Sequence, residues 1–434
     1  MRPVGEARAE ALGAVRRILI ENLKLDRSPE TIDPDVPLFG TGLGLDSVDA
    51  VELVVALETV LGVVLPEEMH AAVHLRTVNT VVDLVLALRG VGPTGALEAP
   101  AAPADDPEHR ALREATALSV HPELVVVRLE GPDPFGALDA LVPTDLYLRD
   151  GQMRQSLLLD DEARPIADLY VAHDDGALVV IAEGLAPASL EAALEGVAHR
   201  TLTDAHDVVS LHGPWAWELV ARVLGEDLLS LPYLSFFHLE GGGTCFRGGK
   251  TGEYGYDLLL PKEHSPALVA RLRELGAAWD LVDVSQATLT QARRESFFFD
   301  PACWRGEDVT PHELQLLWRC SERKGPIFRG AAALAARRPR ERLTCLVAEV
   351  PLEGEVRLDG RAVGRVAHAG RSPSLGLHVG HALLDRAVAT PGIEGLFVDG
   401  PAGPVPARAV SPPVLRNQSL LVDPRRDRYA ERAR

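Results

Sequence analysis

The chain has 434 residues, of which 46% are hydrophobic and 25% are charged, a composition typical of a globular protein with more than one domain. Its formal net charge of −19 argues against a nucleic-acid partner, because phosphates would be repelled. The apolar runs are too short to span a bilayer, the amino terminus lacks a signal-peptide pattern, and the four cysteines form no C-x-x-C pair. We therefore expect a cytoplasmic protein without a membrane partner or a metal site.

Residues 1–90 have the pattern of a small helical bundle. The first helix is indicated by apolar residues at helical spacing, such as Ala11, Val15 and Ile18. A second, strong helix is predicted over DSVDAVELVVALETVLG, and a further one over VNTVVDLVLALRG. The buried face of the second helix is expected to consist of Val48, Val51, Leu53, Val54 and Leu57.

Ser47 lies where a glycine-rich loop meets the second helix. A serine there is expected to be exposed near the positive end of the helix dipole, a position that accommodates a phosphodiester. The stretch from 28 to 75 has no Lys or Arg and nine carboxylates, an acidic surface that would steer basic partners. The alternative is that Ser47 only caps the helix.

The string FGTGLGLDSVDAVEL and the helices around it resemble acyl carrier proteins and peptidyl carrier domains. The resemblance covers residues 1–90 and implies that Ser47 bears a covalent 4′-phosphopantetheine arm. It further implies three classes of partner: a phosphopantetheinyl transferase, an acyl- or aminoacyl-loading enzyme, and downstream enzymes of a specialised biosynthetic pathway.

The next segment, 91–108, is rich in Ala, Pro, Gly and Asp and is predicted to be a linker. Beyond it, strands are predicted over LVVVRLEG, ALVVIAEG, YGYDLLLP and RLTCLVAEVPL. Helices are predicted over SLEAALEGVAHR, AWELVARVLG and ALVARLRELG. Because these elements alternate without a regular βα repeat, we expect an α+β fold.

A turn that leads into a strand is predicted at TGEYGY. The Glu253 carboxylate in this turn could pair with the N–H edge of a heterocycle, although the spacing alone favours a hairpin turn with a solvated glutamate. The glycines at 241–243 and 248–249 lack the pattern of a phosphate loop and are predicted to form hairpin turns.

These strings together resemble the glycine cleavage T protein (aminomethyltransferase) family. The family pattern R-x-x-[FY]-T-G-E-x-G appears here from Arg247 onward, with Lys250 at the aromatic position. An arginine–glutamate pair of the family corresponds to Arg293 and Glu295, and its P-x-E-x-x-L-x-W string ends at Trp318. The carboxy-terminal string GRAVGRVAHAGRSPSLGLHVGHALL is similar to the family's small barrel domain.

The two resemblances imply a multidomain chain, with an all-α four-helix carrier bundle followed by an α+β folate-binding domain and a small C-terminal β-barrel. The expected boundaries are 1–90 for the carrier domain, 91–108 for the linker, 109–335 for the folate-binding domain, 336–422 for the barrel and 423–434 for a charged, frayed tail.

Tetrahydrofolate is the small-molecule partner that the family resemblance implies. Asp168 would then be the catalytic residue, positioning the folate and managing a proton, and Glu253 would read the pterin edge. The remaining folate-binding residues would be Arg247, Tyr254, Tyr256, Arg293 and Trp318. Two departures from the family, Ala167 before Asp168 and Gln155 in place of an aromatic residue, leave room for a different substrate.

The fusion suggests that phosphopantetheine replaces the lipoyl arm on which the T protein substrate arrives. Tethering would raise the local concentration of a thioester-bound substrate to roughly the millimolar range. The large domain would move a methylene or aminomethyl group between tetrahydrofolate and an acyl or aminoacyl thioester on Ser47. The alternatives are a folate-dependent demethylase, a folate-independent enzyme and a non-catalytic docking platform for partners of the carrier domain.

Overall fold

The computed structural model describes residues 4–66, 71–91, 106–225, 228, 231–400 and 403–432. Its first compact unit comprises 1–103, 306–323 and 332–416, and its second comprises 104–305, 324–331 and 417–434. Most of the predicted linker at 91–108 lies outside the described residues. No helix among those residues is both long and apolar enough to cross a membrane.

The first unit begins with four helices: α1 (Val4–Glu21), α2 (Ser47–Leu61), α3 (Ala71–His74) and α4 (Val78–Leu88). Asp46 caps α2, since its carboxylate accepts the backbone N–H groups of Val48 and Asp49. The helix ends at Gly62, whose φ of 63° a glycine adopts without strain. The capping role thus belongs to Asp46, and the side chain of Ser47 is left exposed.

The buried face of α2 is narrower than the sequence predicted. Leu53 and Leu57 are fully buried, but Val48 and Val51 are each 64% exposed. Residues 53, 56 and 57 share one face at helical spacing, and residues 48 and 51 point away from it. The prediction that Val48 and Val51 belong to the core was therefore wrong.

The second unit contains helices and strands in alternating order. Its helices are α5 (Pro107–Glu114), α6 (Pro134–Asp139), α7 (Pro187–Ala193), α8 (Ala216–Leu224), α9 (Ser265–Gly276) and α10 (Gln286–Ser296), and α11 (Ala331–Ala336) leads back into the first unit. Its strands are β1 (Thr116–Val120), β2 (Val125–Leu129), β3 (Met153–Leu159), β4 (Pro165–Asp174), β5 (Ala177–Glu183), β6 (His199–Thr201), β7 (His206–His212), β8 (Ser235–His238), β9 (Thr244–Gly248), β10 (Gly255–Pro261) and β11 (Leu281–Asp283).

These strands form two sheets, with orders β3-β4-β5-β2-β6 and β11-β1-β7-β10-β9-β8. The paired strands are antiparallel except for β1 and β11. Apolar residues from both sheets, among them Tyr170 and Phe246, form a shared core, and the outer faces are covered by helices. This arrangement confirms the predicted α+β class.

Two local predictions in this unit were wrong. The helix predicted over 189–200 ends at Ala193, since the chain turns at Gly196, whose φ is 82°, and continues as β6. The carboxy-terminal tail was predicted to fray, yet Tyr429 is buried against Trp215, and its backbone N–H donates to Glu218. Hydrophobic burial of one aromatic ring anchors a segment whose composition is otherwise highly charged.

The first unit closes with a six-stranded barrel, β12 (Glu341–Ala348), β13 (Glu353–Leu358), β14 (Arg361–Arg371), β15 (His378–Asp385), β16 (Leu396–Asp399) and β17 (Val405–Val410). Its order is β12-β15-β14-β13-β16-β17, with β17 paired back to β12. The four-helix carrier, the α+β domain and the small barrel that the sequence predicted are thus confirmed.

Candidate functional site

A buried cluster of charges lies where β4 and β5 pair in the five-stranded sheet. Asp168 on β4 and Glu183 on β5 are direct cross-strand partners, a placement that is unfavourable for two carboxylates alone. Lys250, in the loop after β9, bridges them, with Nζ 2.7 Å from Asp168 Oδ2 and 2.8 Å from Glu183 Oε2. Arg293 on α10 pairs with the other oxygen of Glu183. Sequence-distant residues therefore form one buried network.

Electrostatics hold Lys250 and Glu183 in their charged forms. Burial opposes the charge of Lys250, but Asp168 and Glu183 outweigh burial and raise its pKa. Burial likewise opposes the charge of Glu183, yet Arg293 and Lys250 hold the pKa of this carboxyl well below its usual range. A protonated lysine thus presents fixed N–H donors to both carboxylates.

The cluster borders a cleft within the second unit. The residues that line it include His121, Tyr170, Glu183, His212, Lys250 and Arg293. Strand β7 supplies its polar wall because alternate side chains face opposite sides: Val209 and Leu211 pack under the helices, and Ser210 and His212 line the cleft.

Two histidines form one end of the cleft, with ring centroids 6.5 Å apart. His121 Nδ1 lies 2.8 Å from Glu123 Oε1, and its Nε2 lies 2.8 Å from Ser119 Oγ. Since a carboxylate only accepts hydrogen bonds, the proton is assigned to Nδ1, and Ser119 donates to Nε2. Burial lowers the pKa of His212 to about 3, so its ring is neutral. Neither ring nitrogen of His212 has a hydrogen-bond partner among the described residues.

Glu253 belongs to a second buried network. Its carboxylate accepts hydrogen bonds from the Ser419 backbone N–H at 2.8 Å, from Ser419 Oγ at 2.6 Å and from Gln418 N at 3.3 Å. Arg113 Nη1 lies 3.3 Å away, and the same guanidinium also pairs with Glu295 at 2.7 Å. The two oxygens of Glu253 are thus already engaged by its own chain, and its contact with a pterin stays a prediction.

The glycine of the T-G-E string is required by close packing. Gly252 has a φ of 86°, and a Cβ atom there would come within 1.9 Å of Asn417 Nδ2 and 2.5 Å of Ser296 Oγ. The turn therefore tolerates no side chain, for both conformational and steric reasons.

Three other predicted residues surround a separate cavity. Arg247, Tyr254 and Tyr256 line it together with residues 423–425. Successive side chains of β10 point to opposite faces of its sheet. Tyr256 therefore packs on the face covered by helices, and Asp257 lines the cleft on the other face. Of the residues predicted for the folate site, only Asp168 and Arg293 therefore meet in the charge cluster.

Two predicted residues belong to the first unit. The Trp318 ring packs against the hydrophobic core of the carrier helices, and its backbone carbonyl accepts from Arg27 at 2.9 Å. Ser47 is exposed at the start of α2. The contact of Trp318 with folate and the modification of Ser47 remain predictions.

Sequence reasoning missed four residues of the cleft: Glu183, Lys250 as a charge partner, His121 and His212. The signal for His212 was present, since polar Ser210 and His212 alternate with Val209 and Leu211 in HDVVSLH. The pairing of Lys250 with Asp168 had no such signal, because Lys250 follows a strand of the other sheet and the two residues meet only through the packing of those sheets.

Comparisons with known proteins agree with this architecture. Residues 86–324 match the GCVT N-terminal domain family, residues 341–415 the glycine cleavage T-protein C-terminal barrel domain, and residues 13–85 the phosphopantetheine attachment site.

Individual relatives are similar over most of their length. An aminomethyltransferase of Saccharopolyspora erythraea is 29% identical over 73% of this chain and 91% of the relative. One of Synechococcus sp. (strain CC9902) is 30% identical over 59% of this chain and 73% of the relative. The crystal structure of glycine cleavage system aminomethyltransferase T from Bartonella henselae superposes with a TM-score of 0.64 and 23% identity, covering 71% of this chain and 89% of that one. That superposition shows a shared fold.

Proposed function

The chain belongs to the glycine cleavage T-protein (aminomethyltransferase) family and has a phosphopantetheine attachment domain, and on that premise we propose that it transfers a one-carbon unit between tetrahydrofolate and a thioester tethered to Ser47. Membership of this family makes the chain a one-carbon transferase. Our proposal adds that its substrate is an acyl or aminoacyl group tethered to the carrier domain in a specialised biosynthetic pathway. The observation that supports this proposal best is the cleft beside the Asp168–Lys250 pair.

The side chains of the cleft offer both donors and acceptors to a heterocyclic ligand. Polar groups such as His212 and Lys250 converge there beside apolar ones such as Leu124 and Ile181, a mixture that is usual in small-molecule sites. The neutral His212 offers one N–H donor and one acceptor, both without a partner among the described residues. Tyr170 adds an aromatic surface, and Lys250 Nζ lies 5.2 Å from its ring centroid.

The residues around the cleft have distinct roles in this proposal. Tetrahydrofolate, when bound, supplies nitrogen atoms that carry the carbon unit. The unit moves between these nitrogen atoms and the substrate. Lys250 fixes the Asp168 carboxylate at 2.7 Å, which restricts it to one orientation. His121 is oriented by Glu123 and can take up a proton at Nε2 through the Ser119 hydroxyl.

A second candidate keeps the fold and changes the chemistry. The family pattern that the sequence resembles has an aromatic residue at the position of Lys250. In this chain the buried ammonium group of Lys250 pairs with Asp168 there. This difference favours a folate-dependent demethylase or a folate-independent reaction as the alternative. A docking platform without catalysis would show no transfer at all.

Calorimetric titration of the holo protein with a stable reduced folate tests the assignment. We expect micromolar binding by the wild type and binding at least about tenfold weaker by Leu124→Trp, because Leu124 lines the cleft and a larger ring would fill it. The matched control is Val120→Trp, since Val120 lies on the neighbouring strand, is 47% exposed and does not line the cleft. Absence of binding by the holo wild type would refute the folate assignment.

Intact-protein mass spectrometry tests the tethered substrate separately. With a candidate aminoacyl group loaded on the arm, we expect folate-dependent gain or loss of a one-carbon unit on the carrier domain. Ser47→Ala should show none, because it has no attachment point. Equal turnover of a free thioester by the wild type and Ser47→Ala would contradict the tethered route and leave folate binding intact.

A further inference from the structure

We infer that the carrier domain is clamped to the barrel side of its own unit, so that only the arm on Ser47 travels between partners and not the domain. The clamp consists of Asp33, Asp35, Gln315 and Leu317. The clamping of the carrier domain does not depend on folate binding. Only the movement of the arm on Ser47 rests on the function proposed above.

The first half of the clamp is a two-point contact between Asp35 and Gln315. The Gln315 amide donates from Nε2 to Asp35 Oδ2 at 2.7 Å, and its Oε1 accepts the Asp35 backbone N–H at 3.1 Å. The same Nε2 also donates to the Leu343 carbonyl on β12 at 2.8 Å. One side chain therefore joins the carrier loop to the first strand of the barrel.

The second half uses a backbone donor. The Leu317 N–H donates to Asp33 Oδ2 at 3.0 Å. Asp33 and Asp35 are 6% and 7% exposed, so both carboxylates are withdrawn from water. Buried carboxylates need hydrogen-bond donors, and here donors come from residues 315 and 317, outside the carrier helices. Two of the nine acidic residues expected on the carrier surface are thus part of an interface.

Further contacts join the same part of the carrier to the segment after β17, since Asn79 links Arg8 to Asp35 by hydrogen bonds. Arg8 Nη2 on α1 donates to Ser411 Oγ at 2.9 Å, and Thr77 Oγ1 at the start of α4 donates to the Pro412 carbonyl at 3.2 Å. The Arg76 guanidinium donates to a further backbone carbonyl, that of residue 415. These acceptors directly follow β17, so the first and last strands of the barrel both take part.

Among the described residues, helix α2 makes no hydrogen bond or ion pair to the barrel, and Ser47, Val48 and Val51 on it are exposed. The carrier is therefore fixed through its loop, α1 and α4, and its modification site stays accessible to a phosphopantetheinyl transferase. A carrier fixed in this way has lost the freedom that a flexible linker would give it, and substrate exchange then depends on the arm.

Amide ¹⁵N relaxation of the full-length protein tests the inference directly. We expect carrier and barrel amides to report the same rotational correlation time, because a clamped domain tumbles with its unit. A second measurement is hydrogen exchange of the Leu317 amide in Gln315→Ala, which removes the contacts to Asp35 but no atom bonded to Leu317. We expect its exchange rate to rise at least about tenfold, with Gln286→Ala, at an exposed glutamine, unchanged.

Each outcome decides the matter. Faster tumbling of the carrier than of the barrel in the wild type would overturn the inference without any variant. Equal tumbling together with unchanged Leu317 exchange in Gln315→Ala would overturn the assignment of the clamp. Retained chemical shifts of the α1, α2 and α4 core in the variant would show that the carrier is released and not unfolded. None of these readouts uses folate or the arm, so they are independent of the one-carbon transfer.

Discussion

Replacing Lys250 by methionine should destabilise the second unit through electrostatics more than through lost packing. Methionine has a similar length, but the variant leaves the cross-strand carboxylates of Asp168 and Glu183 without their shared ammonium, which lies 2.7 Å and 2.8 Å from them. Breaking a buried ion pair typically costs about 3–5 kcal/mol. Because Glu183 retains Arg293, we expect the lower part of that range, about 3 kcal/mol.

Urea unfolding at neutral pH measures this loss, and Lys262→Met, at an exposed lysine after the same hairpin, is the matched control with an expected change within about 0.5 kcal/mol. The sign of the pH dependence is fixed by Glu183, whose pKa in the wild type is held low. A carboxyl with a depressed pKa contributes stability at neutral pH that is lost on acidification, so the difference between wild type and variant should shrink at low pH. A loss below about 1 kcal/mol at neutral pH would refute a structural ion pair at this site.

Three further predictions concern the remaining charged or modifiable groups. Glu253→Gln should lower the unfolding free energy by about 3–5 kcal/mol in urea titration, because it breaks the buried pair with Arg113, and an unchanged value would contradict that network. Burial raises the pKa of Asp33 to about 7 and of Asp35 to about 6, so the contribution of these carboxyls to the stability of the first unit is complete below the ordinary carboxyl pKa and is lost as pH rises through these values; a urea-unfolding free energy that does not fall from about pH 5 to 8 would contradict this. Ser47→Ala should block incorporation of phosphopantetheine, seen by intact mass, with a stability change within about 0.5 kcal/mol because the side chain is exposed; incorporation by the variant would exclude Ser47 as the site.

The prediction for Glu253 changes how folate binding should be tested. A Glu253→Ala variant would lose binding even if the carboxylate never touched a ligand, because Ser419 and Arg113 depend on it. Loss of binding in that variant would therefore not separate a ligand contact from a structural one. Leu124→Trp avoids this problem, since the apolar side chain of Leu124, which lines the cleft and packs at the border of the shared core, takes part in no hydrogen bond or ion pair.

The sequence by itself determined the elements whose signals are local. The apolar spacing of α1 and α4, the acidic residues at the start of α2 and the turn at Gly252 depend on neighbours within a few residues. Local periodicity and capping are sufficient for such elements, and so the carrier bundle, the hairpins and the order of domains could be predicted.

Only the tertiary structure decided which charges meet. Strand register places Asp168 opposite Glu183, and the packing of the two sheets brings Lys250 to both carboxylates. The docking of the carrier on the barrel brings Asp35 to Gln315. A shift of one residue in register would turn Asp168 to the other face of its sheet, and nothing local in the sequence fixes that choice. The burial of Asp33 and Asp35 follows from long-range contacts in the same way, since an acidic loop is stable inside a protein only where distant donors meet it.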